Sequence, residues 1–127
     1  ELGAEWQLRL VPNPDILAGL SRDRRPGQVI VGFAAESAAN AEQLRERASL
    51  KRERKGCDIL VANRVVPDER GVGAVFGADD NDVVIVRAAA ASPGLVATRT
   101  VTGDKLSVAH AILDEILDFH AATETTP

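Results

Sequence analysis

The stretch SLKRERKGCDILVANRV, residues 49–65, passes from a charge cluster through one glycine into an unbroken apolar run. Six of its first seven residues are polar or charged, which reads as the end of a helix, with Gly56 as the stop. CDILVANRVV then has the length and continuity of a strand buried on both faces, as in a parallel sheet. The segment GQVIVGFAAES (27–37) has the same character and ends in small residues. A helix from about Ala38 to Lys55 joins the two, so the centre of the chain reads as strand, crossover helix, parallel strand.

EWQLRLV (5–11) alternates Trp6, Leu8 and Leu10, the pattern of a half-buried strand. NPDILAGLSRD (13–23) reads as a helix start, with Asn13 as cap and Pro14 at the first helical position. GVGAVFGADDNDVVIVRAA (71–89) and GLVATRTV (94–101) place β-rich runs around a Gly/Asp/Asn turn, which predicts antiparallel strands. RAAAASPG (87–94) reads as a loop. DKLSVAHAILDEILDFH (104–120) has Leu106, Ala109, Ile112, Leu113, Ile116 and Leu117 at spacings of three and four, an amphipathic helix that covers a sheet. The expected fold is an α/β three-layer sandwich with a Rossmann-like, mostly parallel sheet and an antiparallel portion toward the C-terminus. One domain is expected over residues 1–120, followed by a frayed tail, 121–127.

The bulk properties agree with a soluble domain. At 127 residues, 45% hydrophobic and 27% charged, the chain can bury a core. Its net charge of −4 gives no global attraction to nucleic acid or anionic lipid, so any basic site is local. No apolar run approaches the roughly 20 residues of a membrane span, and no secretory signal is evident. The single cysteine, Cys57, can form no internal disulfide, which suits a reducing, cytoplasmic setting.

On a helix at 100° per residue, Ala41, Leu44, Ala48, Lys51 and Lys55 share one face, so two lysines continue an apolar stripe. These ammonium groups could complement the helix dipole while their stems lie over the sheet edge. Alternatively, a sheet-facing pair four residues apart could meet phosphate oxygens. Asp15 sits in the first turn of its helix and disfavours a phosphate there, leaving plain capping or contact with a neutral part of a nucleotide. Phe33 at a strand tip could wall a base pocket or simply fill the core. GADDND (77–82) reads as a solvated turn before it reads as a cation site of Asp79, Asp80 and Asp82. His110 and His120 have no partners at metal spacing. Cys57 reads as a small buried hydrophobe. There is no dinucleotide fingerprint, P-loop, catalytic triad or carboxylate pair, so no catalytic or metal residue is assigned.

In order, NPDIL (13–17), RPGQVIVGFAAES (25–37), LKRERKGCDILVANRV (50–65), FGADDNDVVIV (76–86) and GDKLSVAHAILDEI (103–116) resemble the C-terminal half of bacterial phosphopantothenate-cysteine ligase. That half is usually the second part of the bifunctional coenzyme A biosynthesis flavoprotein. The resemblance runs from about Trp6 to Phe119. It implies use of CTP, with Mg2+, to activate the carboxylate of 4'-phosphopantothenate as an acyl cytidylate, which cysteine then captures. It also implies that Pro14, Asp15, Ile16 and Leu17 line the CTP site, that Phe33 packs beside it, and that Lys51 and Lys55 contact the nucleotide.

The family is dimeric, and the strands after Gly71 are where a self-complementary interface is expected. The family's glycine-rich segment, acyl-cytidylate asparagine and lysine-rich loop are not in this sequence, and no methionine stands at position 1. The expectation is therefore a C-terminal piece that needs the N-terminal half to turn over, and a fused flavin-dependent decarboxylase is a candidate partner. Ser37 stands where the family usually has threonine. The alternative is a non-catalytic α/β module for dimerisation or for another nucleotide.

Overall fold

A computed structural model describes residues 7–65, 80–88 and 96–124. Helix α1 spans Ile16–Arg22, strand β1 Val31–Ser37, helix α2 Ala41–Lys55, β2 Ile59–Val65, β3 Asp80–Ala88, β4 Val96–Asp104 and α3 Lys105–Glu124. The strands form one mixed sheet in the order β1-β2-β3-β4. β1 and β2 are parallel, while β3 runs antiparallel to β2 and to β4. One face carries α1 and α2 and the other carries α3, giving the three-layer α/β sandwich.

The central strands are apolar on both sides because both sides are covered. Leu60, Ala62, Val84 and Val86 meet Leu44 and Ala48 of α2, whereas Ile59, Val61, Val83 and Ile85 meet Val108 and Phe119 of α3. At the lower end of the sheet, Asp58 closes the structure. Its carboxylate accepts the Ile30 N–H at 2.7 Å and an Arg24 N–H at 2.6 Å, and its carbonyl accepts the Ala88 N–H at 2.9 Å. Asp58→Ala removes two partners from groups that are half-buried, so it is expected to lower stability by about 1–3 kcal/mol, read from the urea midpoint.

α2 is defined at both ends by side-chain and backbone chemistry. Asn40 accepts the Gln43 N–H at 2.9 Å, and Gln43 reaches back to the Ala39 N–H at 2.8 Å, a reciprocal cap. The helix therefore starts at Ala41, three residues after the expected Ala38. Gly56 ends it at φ 69°, donating to the Arg52 and Glu53 carbonyls, a backbone state that disfavours any side chain. Gly32 on β1 answers a different demand, since a Cβ there would stand 2.6 Å from Leu17 Cδ2 and 2.9 Å from Leu60 Cδ1. Gly32→Ala is expected to cost about 1–3 kcal/mol through overpacking, seen as a lower midpoint in thermal unfolding.

Four sequence expectations are corrected. Residues 7–11 form no strand, and Leu8, Leu10 and Val11 are exposed: period-two alternation makes a strand only where an edge accepts its hydrogen bonds. The cap of α1 is Asp15, not Asn13, and Pro14 lies before it; the Asp15 carboxylate serves both the Ala18 N–H and Lys55. α3 is turned part-way from the expected stripe: Ile112 and Ile116 of that stripe pack on the sheet, but Val108, Ala111 and Phe119 are buried beside them while Leu106, Leu113 and Leu117 stay exposed. Glu115 helps fix that rotation, because it pairs with Arg87 at 3.2 Å and Arg99 at 3.3 Å on the sheet. The helix also continues to Glu124, beyond the point at which fraying is expected. The expected strand portion 71–79 and the loop portion 89–94 fall outside the described residues.

Candidate functional site

The apolar stripe of α2 continues into its lysines as its periodicity requires. Leu44 and Ala48 are buried, and Lys51 and Lys55 follow on the same flank, each half-buried. Each ammonium meets a carboxylate: Lys51 pairs with Glu36 near the end of β1, and Lys55 with Asp15 at the start of α1. Glu36 is the more enclosed acid, its side chain 13% exposed, so removal of Lys51 would strand a poorly hydrated charge.

The Lys55 hydrogen bond, followed by the Ala18 N–H, holds the Asp15 carboxyl below its ordinary 3.8. A lowered folded-state pKa contributes stability above the unfolded-state value, and that contribution is lost as pH falls through the folded value. Asp15→Asn is therefore expected to be less stable than the parent at pH 6. The difference should close from about pH 4 downward, the range in which a free aspartate protonates. Thermal melts at several pH values read this directly.

Above the opposite face, a hollow of about 400 Å3 opens at the carboxyl ends of β1 and β2, the end at which open α/β sheets place ligands. Ala35, Asn63 and Val83 stand side by side across three strands at its floor. Phe33 forms one margin and is 70% exposed, while Lys105 and Val108 of α3 form another, with Asn81 at the rim. The amide oxygen of Asn63 is buried and accepts no hydrogen bond among the described residues. A buried acceptor without a donor costs free energy that a ligand N–H or O–H would relieve.

The expected site residues thus divide between two faces. Asp15 and Lys55 are in contact, Ile16 and Leu17 belong to the same helix start, and Leu17 packs against the α2-face core. Pro14 adjoins Asp15 and is exposed. Phe33 points to the α3 side, where it lines the hollow. Glu36 stands three positions further along β1, about 10 Å along a strand, a span that one elongated ligand can bridge around the strand end. Asn63, Asn81 and Lys105 were absent from the sequence reading. The available signal was Asn63 itself, a polar residue in ILVANRV with the same parity as core-facing Ile59 and Val61.

The described residues include no group of three or more His, Cys, Asp or Glu side chains able to hold a metal. Asp82 is instead engaged by the Thr102 hydroxyl at 2.7 Å and by Arg64 at 3.6 Å. Burial pushes the Cys57 thiol up, which keeps it protonated and weakly nucleophilic. No described helix is long and apolar enough to cross a membrane.

The fold is that of an open-sheet α/β domain with a hollow at the carboxyl ends of its parallel strands. Residues 2–119 match the DNA/pantothenate metabolism flavoprotein C-terminal domain, and the chain belongs to that family. It is 40% identical over 121 residues to the coenzyme A biosynthesis bifunctional protein CoaBC of Mycobacterium tuberculosis, covering 90% of this chain and 26% of the relative. The protein of the same name from Mycolicibacterium smegmatis is 40% identical over 116 residues, 87% of this chain and 25% of the relative. For Escherichia coli K12 the figures are 40% over 81 residues, 62% and 18%. The chain therefore spans about a quarter or less of the length of these relatives. The resemblance to the ligase half of the coenzyme A biosynthesis protein stands on these matches.

Proposed function

We propose that this chain is the CTP-binding part of a ligase that joins 4'-phosphopantothenate to cysteine. The observation that carries the reading is the placement of Lys51 and Lys55 on the inward flank of α2, Lys51 held by Glu36 near the end of β1 and Lys55 by Asp15 at the start of α1. In this reading the base lies against Phe33 with Asn63 supplying its unused acceptor, and the phosphates turn around the end of β1 toward Lys51. Pro14, Asp15, Ile16 and Leu17 border the path on the α1 side. A carboxylate oxygen of 4'-phosphopantothenate attacks the α-phosphorus of CTP, and pyrophosphate departs with the negative charge that the lysines stabilise. The cysteine amine then attacks the acyl carbon, loses a proton, and CMP leaves.

Magnesium enters as the counter-ion of the triphosphate, because the described side chains make no metal site of their own. Turnover in this reading requires the N-terminal half of the ligase. The test is to combine the chain with that half, CTP, magnesium, 4'-phosphopantothenate and cysteine, and to follow CMP and the cysteine adduct by mass spectrometry. Formation of both supports the assignment; failure to form the adduct, with both parts folded, sinks it.

A second role is favoured by β4. Its nine residues, Val96–Asp104, pair with β3 on one side only among the described strands, and the segment has no proline or lysine to blunt the edge. Antiparallel pairing of β4 with a second copy would give a homodimer. Light scattering after gel filtration should then report twice the 13.5 kDa chain mass; a monomer at all concentrations would contradict it.

A further inference from the structure

α2 carries more positive charge than its two lysines explain. The chain has 15 Lys and Arg against 19 Asp and Glu, yet this one helix holds Arg45, Arg47, Lys51, Arg52, Arg54 and Lys55 against Glu42, Glu46 and Glu53. Three of these cations are tied to groups outside the recess walled by the others: Arg45 donates to the Thr100 hydroxyl at 3.2 Å, Arg52 to the Cys57 carbonyl at 3.1 Å, and Lys55 pairs with Asp15. Arg47, Leu50, Lys51 and Arg54, at positions i, i+3, i+4 and i+7 of one helix face, wall a hollow of about 260 Å3, with Glu36 as its single acid. Three cations against one carboxylate leave a local excess of two positive charges.

The partners within the hollow leave donors to spare. Lys51 is held by Glu36. Arg47 gives one N–H to the Ser37 carbonyl at 2.6 Å, and a guanidinium has five. Arg54 makes no hydrogen bond or ion pair among the described residues and acts on Asp15 only through space. Long side chains of like charge, gathered around a recess smaller than a drug-sized pocket, suit a small multivalent anion rather than a whole nucleotide. Guanidinium groups match phosphate oxygens in pairs and keep their charge at any working pH.

We infer that Arg47 and Arg54, together with Lys51, form a subsite for a diphosphate group, with Glu36 holding Lys51 at its edge until the anion binds. The inference rests on the nucleotide reading for its natural ligand, the terminal phosphates of the triphosphate, but free pyrophosphate carries the same chemistry. Titration calorimetry of the chain with pyrophosphate, CTP and CMP separates the possibilities. Arg54→Gln and Arg47→Gln are each expected to weaken pyrophosphate and CTP by about 10-fold or more, the loss of one charge-assisted hydrogen bond, and to leave CMP unchanged. Arg22→Gln, which removes an exposed cation already paired with Asp23, should leave all three unchanged.

Pyrophosphate binding that the Arg54 and Arg47 variants retain in full overturns the subsite, as does no measurable pyrophosphate binding by the parent. An equal loss in Arg22→Gln overturns it too, since the effect would then be one of overall charge. Pyrophosphate bound in an Arg54-dependent way, with no CTP bound, keeps the subsite and defeats the nucleotide reading. CTP bound with no dependence on Arg47 or Arg54 does the reverse.

Discussion

Leu60→Ala lowers the unfolding free energy by about 2–5 kcal/mol, the cost of a large cavity in a closed core. Leu60 has no exposed surface, sits second in β2 between the neighbouring strands β1 and β3, and faces the α2-side core beside Leu44 and Ala48. Its Cδ1 atom also lies against Gly32, where there is no side chain that could move in to fill the space. Leu50→Ala removes the same atoms from a position 61% exposed on α2, and is expected to stay within about 0.5 kcal/mol of the parent. Urea unfolding of the pair tests the assignment of the core: similar midpoints for the two variants would contradict it.

Lys51→Ala/Lys55→Ala is expected to weaken CTP binding by about 100-fold or more, since each lysine lost removes a charge-assisted contact worth about 1.5–3 kcal/mol. A stability effect accompanies the affinity effect, because the variant leaves Glu36 enclosed without its cation. Adding Glu36→Gln removes that stranded charge. The triple variant should therefore recover stability while CTP affinity stays low. Recovery of affinity together with stability would mean that the lysines act through the fold and not on the nucleotide.

Much of this arrangement was legible in the sequence, and the gaps have physical causes. The apolar runs 27–37 and 57–66 announce the parallel strands β1 and β2, and Gly56 between helix and strand announces the crossover; of the two, only β2 is covered on both faces, since Phe33 and Ala35 of β1 stay exposed. The shared face of Ala41, Leu44, Ala48, Lys51 and Lys55 follows from helical geometry, and Leu44 and Ala48 are indeed buried there. Which carboxylates receive the lysines was not legible, because Asp15 and Glu36 are brought to α2 only by tertiary packing. The same cause moved the α1 cap from Asn13 to Asp15. α3 carries apolar residues at more than one set of three- and four-residue spacings, so periodicity alone does not choose between them; the sheet takes Val108, Ala111, Ile112, Ile116 and Phe119, with Glu115 of the same face between two arginines. Asn63 lies in a continuous apolar strand, where alternation alone assigns no face, and its unmet hydrogen bond is visible only in the folded chain.

The central claim is that this chain carries a CTP site, and calorimetric titration of the unmodified chain with CTP, ATP and NAD in magnesium buffer tests it most directly. The account predicts that CTP binds in preference to the other two. Preference for NAD or ATP, or no binding of any of the three by the folded chain, would contradict it.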